Sequence, residues 1–226
     1  MNTSHWSYPS LNEFIIEPFP PVEQANFEGE LARGGSLHPE QVFYAYQKGI
    51  FPWYAQDEPI RWWSPNPRGV LFTHQVHCSK SLKKTMRKLP YKITFDTFFS
   101  EVIAACATEH GETWITDEMR SAYILLHLQG RAHSCELWLN GHLIGGLYGI
   151  CLNKVFCGES MFSRQANASK IVLIELCAYL IKQNIKLIDT QFLTEHLISM
   201  GAINISRDDY LMFLTGNPDR LRGHWC

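Results

Sequence analysis

Three polar side chains stand inside otherwise apolar segments of the chain. Glu159 interrupts the segment Val155–Phe162, and Asp189 and Gln191 both lie in the segment Lys186–Phe192. On a β-strand, residues two apart share one face at a spacing of about 6.6 Å. Because burying a carboxylate or amide without a hydrogen bond costs free energy, these side chains form either a satisfied core network or the polar floor of an active site.

A β-hairpin is predicted just before Glu159. The segment His133–Leu139 alternates polar and apolar residues, Asn140 and Gly141 are typical of a type I′ turn, and His142–Leu152 returns as a second strand. A further tight turn at Asn153 and Lys154 leads into the strand that carries the carboxylate, so we expect it to be the third of three antiparallel strands.

A third strand and a buried helix complete the predicted surroundings of Glu159. In the strand Val155–Phe162, Gly158 leaves room for a close approach to the backbone. The residues Ala168–Lys182 are apolar on nearly every side and predict a buried helix, with Asn167 as its N-cap. We expect Glu159 to lie between the sheet and this helix.

The other predicted elements are shorter. Caps, glycine stops and hydrophobic spacing predict a strand at Tyr91–Phe95 and helices at Pro39–Lys48, Thr97–His110 capped by Asp96, Asp117–Leu128 capped by Thr116, Thr194–Met200 and Arg207–Leu214. An irregular arm is expected before residue 28 and a frayed tail after residue 215. This order of helices and strands indicates an α+β fold.

Aromatic residues accumulate in and beside a proline-rich segment that cannot be a regular helix. They include Tyr46, Trp53, Trp62 and Trp63. Such residues either fill the core beneath a rigid loop or provide flat surfaces on which nucleobases stack. The ends of RNA are usually recognised by stacking, but composition alone does not decide between the two interpretations.

Five cations lie on one face of a predicted helix. Lys80, Lys83, Lys84, Arg87 and Lys88 are spaced i, i+3, i+4, i+7 and i+8, with no acidic residue among them. A charged helix face is usually only solvated, but a helix stabilised by ion pairs would contain acids as well. We expect this surface, the basic stripe, to bind phosphates without reading sequence.

Length and charge describe an ordinary soluble protein. The 226 residues are sufficient for one large domain or two small ones, and the formal net charge is −2. Any contact with nucleic acid must therefore come from a local basic patch. The chain shows no secretion signal and no apolar run that could span a bilayer, which predicts a cytoplasmic protein.

The cysteines do not indicate a metal site. There are seven, an odd number, scattered through apolar segments, as is typical of reduced thiols in the cytoplasm. The one close grouping, His74 with His77 and Cys78, has no second pair of ligands. We predict no metal.

Several motifs in order resemble one enzyme family. The run GESMFSRQANASK, followed by IDTQFLTEHLISMGA, is similar to the signature of the leucyl/phenylalanyl-tRNA-protein transferases. The upstream runs LARGGSL, YAYQKGIFPWY, RWWSPNPRGVL and TWIT resemble the same family, so the similarity covers roughly Leu31 to Leu214. This family transfers Leu or Phe from aminoacyl-tRNA to the N-termini of proteins.

The resemblance implies an architecture and a function. The architecture is a GNAT-like acyltransferase core with a mainly antiparallel sheet in residues 64–226, after a small N-terminal domain in residues 1–63. The function is transfer of Leu or Phe, and more weakly Met, to proteins that begin with Arg or Lys, which marks them for degradation by the N-end rule. We expect the protein to be a monomer. We also expect it to need no cofactor, because the ester of the aminoacyl-tRNA is already activated.

The resemblance also implies roles for individual residues. Tyr46, Trp53 and Trp114 stand at positions that hold the terminal adenosine, and the basic stripe contacts the body of the tRNA. In the catalytic set, Asp189 would polarise Gln191, whose carbonyl oxygen accepts from the attacking amine, and Glu159 would position the aminoacyl group. Because an amide is a very poor base, we favour orientation by Gln191 and charge balance by Asp189.

The donor side chain requires an apolar pocket. The walls that we expect are Leu147, Phe156, Met161, Leu173 and Leu176. Since one methylene is worth about 1 to 3 kcal/mol, such a pocket discriminates gradually and excludes β-branched residues by shape.

Two other functions compete with aminoacyl transfer. An acetyltransferase of the GNAT class would need a glycine-rich loop to hold the pyrophosphate of CoA, but the loop before the apolar helix reads SRQANAS. A non-catalytic RNA-binding module would use the basic stripe and the tryptophans but would leave Glu159, Asp189 and Gln191 with packing roles only.

Overall fold

The computed structural model describes residues 14–109 and 114–216, which contain seven α-helices and ten β-strands. The helices are α1 (Pro39–Gln47), α2 (Lys80–Lys88), α3 (Phe99–Glu109), α4 (Asp117–Leu128), α5 (Ala168–Lys182), α6 (Glu195–Ser199) and α7 (Arg207–Leu214). The strands are β1 (Glu30–Arg33), β2 (Phe51–Pro52), β3 (Arg61–Trp63), β4 (Arg68–Phe72), β5 (Tyr91–Phe95), β6 (Ala132–Leu139), β7 (His142–Leu152), β8 (Val155–Ser163), β9 (Leu187–Gln191) and β10 (Ile203–Ile205). The predicted α+β class is confirmed.

The strands form one large and one small sheet. The large sheet has the order β10-β4-β9-β8-β7-β6-β5, and the small sheet has the order β1-β3-β2. Within the described residues, neighbouring strands are antiparallel except β8 and β9, which run parallel. The sheet is therefore mainly antiparallel, with one parallel pair in its middle.

The parallel pair stops early. Val155–Cys157 of β8 pairs with Leu187–Asp189 of β9, whereas β8 itself continues to Ser163. Beyond Cys157 the two strands part, because the chain turns away at the end of β9. This separation opens the sheet at the point where the candidate site lies.

Helices cover both faces of the large sheet. Buried residues of α1, α3, α4 and α7 pack on one face, and those of α5, with Leu82 of α2, pack on the other. The first of these clusters joins Trp62 and Trp63 to Val70 and Phe72 without interruption. The domain boundary expected between residues 63 and 64 thus crosses one continuous hydrophobic core. The division into two domains stays a prediction.

Local turn chemistry explains the elements that sequence predicted well. Asn140 and Gly141 have φ angles of 51° and 80°, as a type I′ turn requires, and the hairpin of β6 and β7 is confirmed. The Ser79 hydroxyl accepts from Leu82 N at 3.2 Å and starts α2. Thr116, Thr194 and Ser206 cap α4, α6 and α7 in the same way.

One predicted cap is wrong and another is confirmed in position only. Asp96 has a φ angle of 55° and its carboxylate accepts from Ser134 N at 2.9 Å, so α3 begins only at Phe99. Asn167 is the N-cap residue of α5, as predicted, but it makes no side-chain cap bond and has the left-handed φ of 69°, which asparagine tolerates better than most residues.

Some predictions fall partly or wholly outside the described residues. These are the first part of the N-terminal arm, the last residue of the predicted helix Thr97–His110, and the tail after residue 216. Within the described arm, residues 14–27, the chain forms a single short 3-10 turn, Val22–Gln24. No described helix is both long and apolar enough to cross a membrane.

Candidate active site

A β-bulge sets the position of Glu159. Tyr148 of β7 pairs with Ser160 of β8, whereas the next residue, Gly149, pairs with Gly158, so Glu159 is the extra residue. A Cβ atom at Gly149 would lie 2.1 Å from the carbonyl oxygen of Cys157, and only glycine allows this approach of the two strands. Bulges commonly redirect a side chain at a functional site, and this one directs Glu159 into the opening between β8 and β9.

Gly158 lines a cleft beside Glu159, as the prediction of open space at this residue requires. A Cβ atom there would meet the Asp189 carbonyl oxygen and the Ile188 side chain at an ordinary 3.6 Å, so this position does not itself require glycine. The glycine that the bulge requires is Gly149.

A tight turn sets the position of Gln191. This residue has a φ angle of 56°, Phe192 N donates to the Thr190 oxygen at 2.6 Å, and Gln191 N donates to Asp189 Oδ1 at 2.9 Å. Opposite the turn, a Cβ atom at Gly69 would lie 2.8 Å from the carbonyl carbon of Phe192. Both residues lie on β9 as predicted, but the positive φ of Gln191 makes the end of the strand irregular, and a hydrogen bond joins the two residues directly.

Asp189 is fully buried, and both oxygens of its carboxylate accept hydrogen bonds. Arg68, also fully buried, donates from Nε to Oδ1 at 2.8 Å and from Nη2 to Oδ2 at 2.7 Å, and Tyr210 donates to Oδ2 at 2.7 Å. Arg68 also donates to the Gly49 oxygen at 3.1 Å. Burial lowers the pKa of Arg68, but the charge and hydrogen bonds of Asp189, together with Tyr210 and Cys157, raise it above its ordinary value. Asp189 does not line the cleft, and it contacts the cleft residue Gln191 by accepting from its backbone N–H at 2.9 Å.

Glu159 lies in a network of neutral donors. Tyr123 donates to its Oε2 at 2.9 Å and the Gln191 amide donates to its Oε1 at 3.2 Å, while the Tyr123 and Tyr46 hydroxyls are 2.6 Å apart. Burial raises the pKa of Glu159 to about 7, although the bonds from Tyr46 and Tyr123 lower it. A carboxyl group with this pKa exchanges its proton readily at neutral pH.

Tyr46 is not placed where the resemblance implied. It is 1% exposed, so its ring offers no surface to a nucleobase. Its hydroxyl instead supports Glu159 through Tyr123. The direct adenosine contact expected of Tyr46 is therefore wrong for this structure, because helix α1 packs it into the core.

An apolar cleft of about 470 Å³ opens beside Glu159 and Gln191. Its apolar lining residues are Leu147, Met161, Phe162, Leu173, Ile188 and Leu197, and its polar ones include Glu159, Thr190, Gln191, Thr194 and His196. Three of the five expected pocket walls are thus in place. Phe156 and Leu176 are not lining residues: they are 2% and 3% exposed and pack in the core behind the cleft.

A smaller pocket of about 120 Å³ adjoins the cleft. It is lined by Phe51, Pro52, Trp53, Trp114, Glu159, Thr190, Gln191 and Phe192. Trp53 is 42% exposed and lies 5.6 Å from the Phe192 ring, whereas Trp62 and Trp63 are core residues. Trp114, Glu159, Thr190 and Gln191 line both spaces. The two tryptophans predicted to hold adenosine therefore meet beside the catalytic candidates.

The basic stripe lies on α2, whose bounds match the prediction. Its five cations are exposed, and none forms an ion pair with another described residue. The helix is held to the core through Leu82. No residue of α2 lines either of the two pockets, so the basic stripe is separate from the chemistry.

Sequence reasoning missed several site residues. Arg68 was overlooked, although a lone arginine in the apolar run RGVLF is a signal for a buried partner. Tyr123 and Tyr210 gave no signal, because a tyrosine on a helix is usually a packing residue. Thr190 and His196 also line the cleft, and Thr190 Oγ1 and His196 Nε2 are buried without a hydrogen-bond partner.

The described residues contain no group of three or more His, Cys, Asp or Glu residues arranged to hold a metal. The described cysteines are free thiols. Absence of a metal or cofactor requirement stays a prediction, and the chemistry of the cleft rests on its carboxyl, amide and hydroxyl groups.

Comparison with known proteins identifies the family. The family model for the leucyl/phenylalanyl-tRNA protein transferase matches residues 70–215, and the model for its N-terminal domain matches residues 35–66. The leucyl/phenylalanyl-tRNA–protein transferase of Cellvibrio japonicus is 48% identical over 225 residues, covering 96% of this chain and 95% of the relative. The enzyme of the same name from Nitrosomonas eutropha is 51% identical over 217 residues, covering 92% and 93%.

These matches define an enzyme that transfers an aminoacyl group. The chain belongs to the leucyl/phenylalanyl-tRNA protein transferase family. Among solved structures, a conserved protein of unknown function from Bacteroides thetaiotaomicron is similar at 14% identity and a TM-score of 0.45, covering 62% of this chain and 57% of its own. That score is too low to define a shared fold.

Proposed function

We propose that this protein transfers Leu or Phe, and more weakly Met, from aminoacyl-tRNA to the N-terminal α-amine of proteins that begin with Arg or Lys. The product carries a new peptide bond and a new N-terminal residue, which would mark it for degradation by the N-end rule. Family membership supports the class of reaction, and the geometry of the cleft supports the division of labour among its residues.

The observation that carries this proposal is the junction of two pockets. An aminoacyl-adenosine has a flat aromatic end and, for Leu or Phe, an apolar end, with the reactive ester between them. The smaller pocket offers Trp53 and Trp114 for the base, and the cleft offers Leu147, Met161 and Leu173 for the side chain. Glu159 and Gln191 line both spaces, which is where the ester would lie.

The reaction needs positioning and one proton transfer. The acceptor amine attacks the ester carbonyl, a C–N bond forms, and the C–O bond to the tRNA breaks. Gln191, bonded to Glu159 through its amide N–H, orients the amine with its carbonyl oxygen. Glu159, with a pKa of about 7, takes the proton of an amine whose own pKa is near 8 and returns it to the departing 3′-oxygen. Proximity supplies much of the remaining rate.

The wider assignments follow from the same family membership. We assign a GNAT-like core, divided near residue 63 from a small N-terminal domain, to a monomeric cytoplasmic enzyme that requires no cofactor. The parallel β8 and β9, which separate beside the site, support the acyltransferase core. The exposed basic stripe on α2 would bind the body of the tRNA.

The test is transfer of labelled leucine from leucyl-tRNA to a peptide that begins with Arg. We expect the label to become stable to mild alkali, because an amide replaces the ester. A matched peptide with an acetylated N-terminus should remain unlabelled. Binding of leucyl-tRNA without consumption of its ester would favour the RNA-binding module, and consumption of acetyl-CoA would favour the acetyltransferase.

A further inference from the structure

His196 presents an unused polar group to the cleft. It lies on α6 and lines the 470 Å³ space, and its Nε2 atom is buried without a partner among the described residues. Burial and the nearby charge of Lys170 lower the pKa of His196, which favours its neutral imidazole. A neutral imidazole can donate one N–H, and a ligand that accepts this bond would recover the free energy lost by burying the group.

The donor substrate does not supply that partner. A Leu or Phe side chain has no polar atom, and the pocket with Trp53 and Trp114, which would hold the adenosine, does not include His196. In the proposed arrangement the ester and the α-amine of the donor lie at the junction of the two spaces, beside Glu159 and Gln191, whereas His196 lines the larger space alone. The group that His196 recognises therefore belongs to the other substrate.

The cleft has room for that second substrate. Its 470 Å³ corresponds to roughly fifteen waters at about 30 Å³ each, which is more than a Leu side chain displaces. Glu159 is the one carboxylate among the described lining residues, and Lys170 adds positive charge beside His196. This wall therefore suits a neutral acceptor such as a main-chain carbonyl better than a cationic side chain.

We propose that Nε2 of His196 donates a hydrogen bond to the first main-chain carbonyl of the acceptor peptide and so directs its α-amine towards Gln191. This inference rests on the proposed transfer to peptide amines. The contact ignores the acceptor's side chains, so it contributes affinity for peptides in general and no preference for Arg or Lys.

Steady-state kinetics with two acceptors test this contact. One is the dipeptide Arg-Ala, and the other is its analogue with the first amide reduced to CH₂–NH. For Arg-Ala, we expect His196→Ala to raise the acceptor KM about three- to tenfold, the loss expected for one hydrogen bond between neutral groups. The KM for leucyl-tRNA should not change. His196→Gln, which keeps an N–H donor, should raise the acceptor KM less. Glu195→Ala changes an exposed neighbour on α6 and should leave this KM unchanged.

The reduced analogue distinguishes a direct contact from a structural effect. It lacks the carbonyl, so its KM should be the same for the unaltered enzyme and for His196→Ala. An unchanged KM for Arg-Ala, or an equal increase in the KM for leucyl-tRNA or for the analogue, would overturn the inference. If His196→Ala does not fold, His196→Phe, which keeps a ring of similar size but has no N–H donor, replaces it in both comparisons. Failure of the unaltered enzyme to transfer leucine at all would instead overturn the proposed function.

Discussion

Asp189 and Glu159 are two buried carboxylates with opposite surroundings. Asp189 is paired with the guanidinium of Arg68, whereas Glu159 is bonded to hydroxyl and amide groups that carry no charge. Burial without a cationic hydrogen-bond partner raises the pKa of Glu159 to about 7, so this group can gain or lose a proton near neutral pH.

The raised pKa of Glu159 should make stability depend on pH. Its pKa in the folded protein, about 7, exceeds the ordinary 4.5, so the stabilising contribution is complete below pH 4.5 and is lost as the pH rises through 7. This corresponds to about 3 kcal/mol in the free energy of unfolding. Urea unfolding at pH 5 and pH 8 should show that Glu159→Gln gains stability relative to the unaltered enzyme as the pH rises. A difference independent of pH would contradict the assignment.

The pair of Arg68 and Asp189 should be essential for folding. Asp189→Ala leaves a fully buried arginine unpaired, which typically costs about 3 to 5 kcal/mol. Urea unfolding measures this loss, and Asp117→Ala, which removes an exposed pair with Arg120, is the matched control and should cost less than about 0.5 kcal/mol. A loss below about 1 kcal/mol for Asp189→Ala would show that Asp189 is not an anchor.

At the scale of elements, the site depends on irregular strand ends. Gly149→Ala should displace the bulge that carries Glu159, because the new Cβ would meet backbone at 2.1 Å. We expect a loss of about 1 to 3 kcal/mol in stability and more than tenfold in kcat. Gly158→Ala is the control, since its Cβ would make ordinary 3.6 Å contacts. Because Gly158 also lines the cleft, the comparison is made on stability, and equal losses in urea unfolding would refute the role given to the bulge.

The basic stripe on α2 should determine how strongly tRNA binding depends on salt. Changing Lys83, Lys84 and Arg87 to Gln should reduce the slope of log affinity for tRNA against log salt by about 2 to 3 units. A control that changes the exposed Lys48, Lys182 and Lys186 to Gln removes the same charge elsewhere and should leave most of the slope. Equal slopes for the two triple variants would mean that only total charge matters.

At the scale of the whole molecule, occupancy of the two pockets should stabilise the fold. A non-hydrolysable leucyl-adenosine analogue at one hundred times its Kd should add about 2.7 kcal/mol to the free energy of unfolding. Trp114→Ala should remove most of this gain, which thermal unfolding with and without the analogue would measure. An unchanged gain in that variant would exclude Trp114 as the stacking surface.

Local patterns accounted for much of the fold. The turn at Asn140 and Gly141, the helix at Lys80–Lys88 and the buried helix at Ala168–Lys182 depend on neighbours in sequence, and each was predicted within a residue or two. The geometry of the candidate site was harder to predict from the sequence. Arg68 and Asp189 are 121 residues apart, and neither the bulge at Glu159 nor the turn at Gln191 follows from strand periodicity. Both irregularities depend on close packing against glycines of another strand.

The early end of pairing between β8 and β9 has a consequence for substrate range. Each additional residue pair between β8 and β9 would move the point at which the strands separate by about 3.3 Å and would fill the floor of the cavity with backbone. Under the proposed function, a chain in which the strands separated one step further along would accept only smaller amino acids, even with the same wall residues. The length of the pairing between two strands would then limit the size of the incoming amino acid, together with the side chains that surround it.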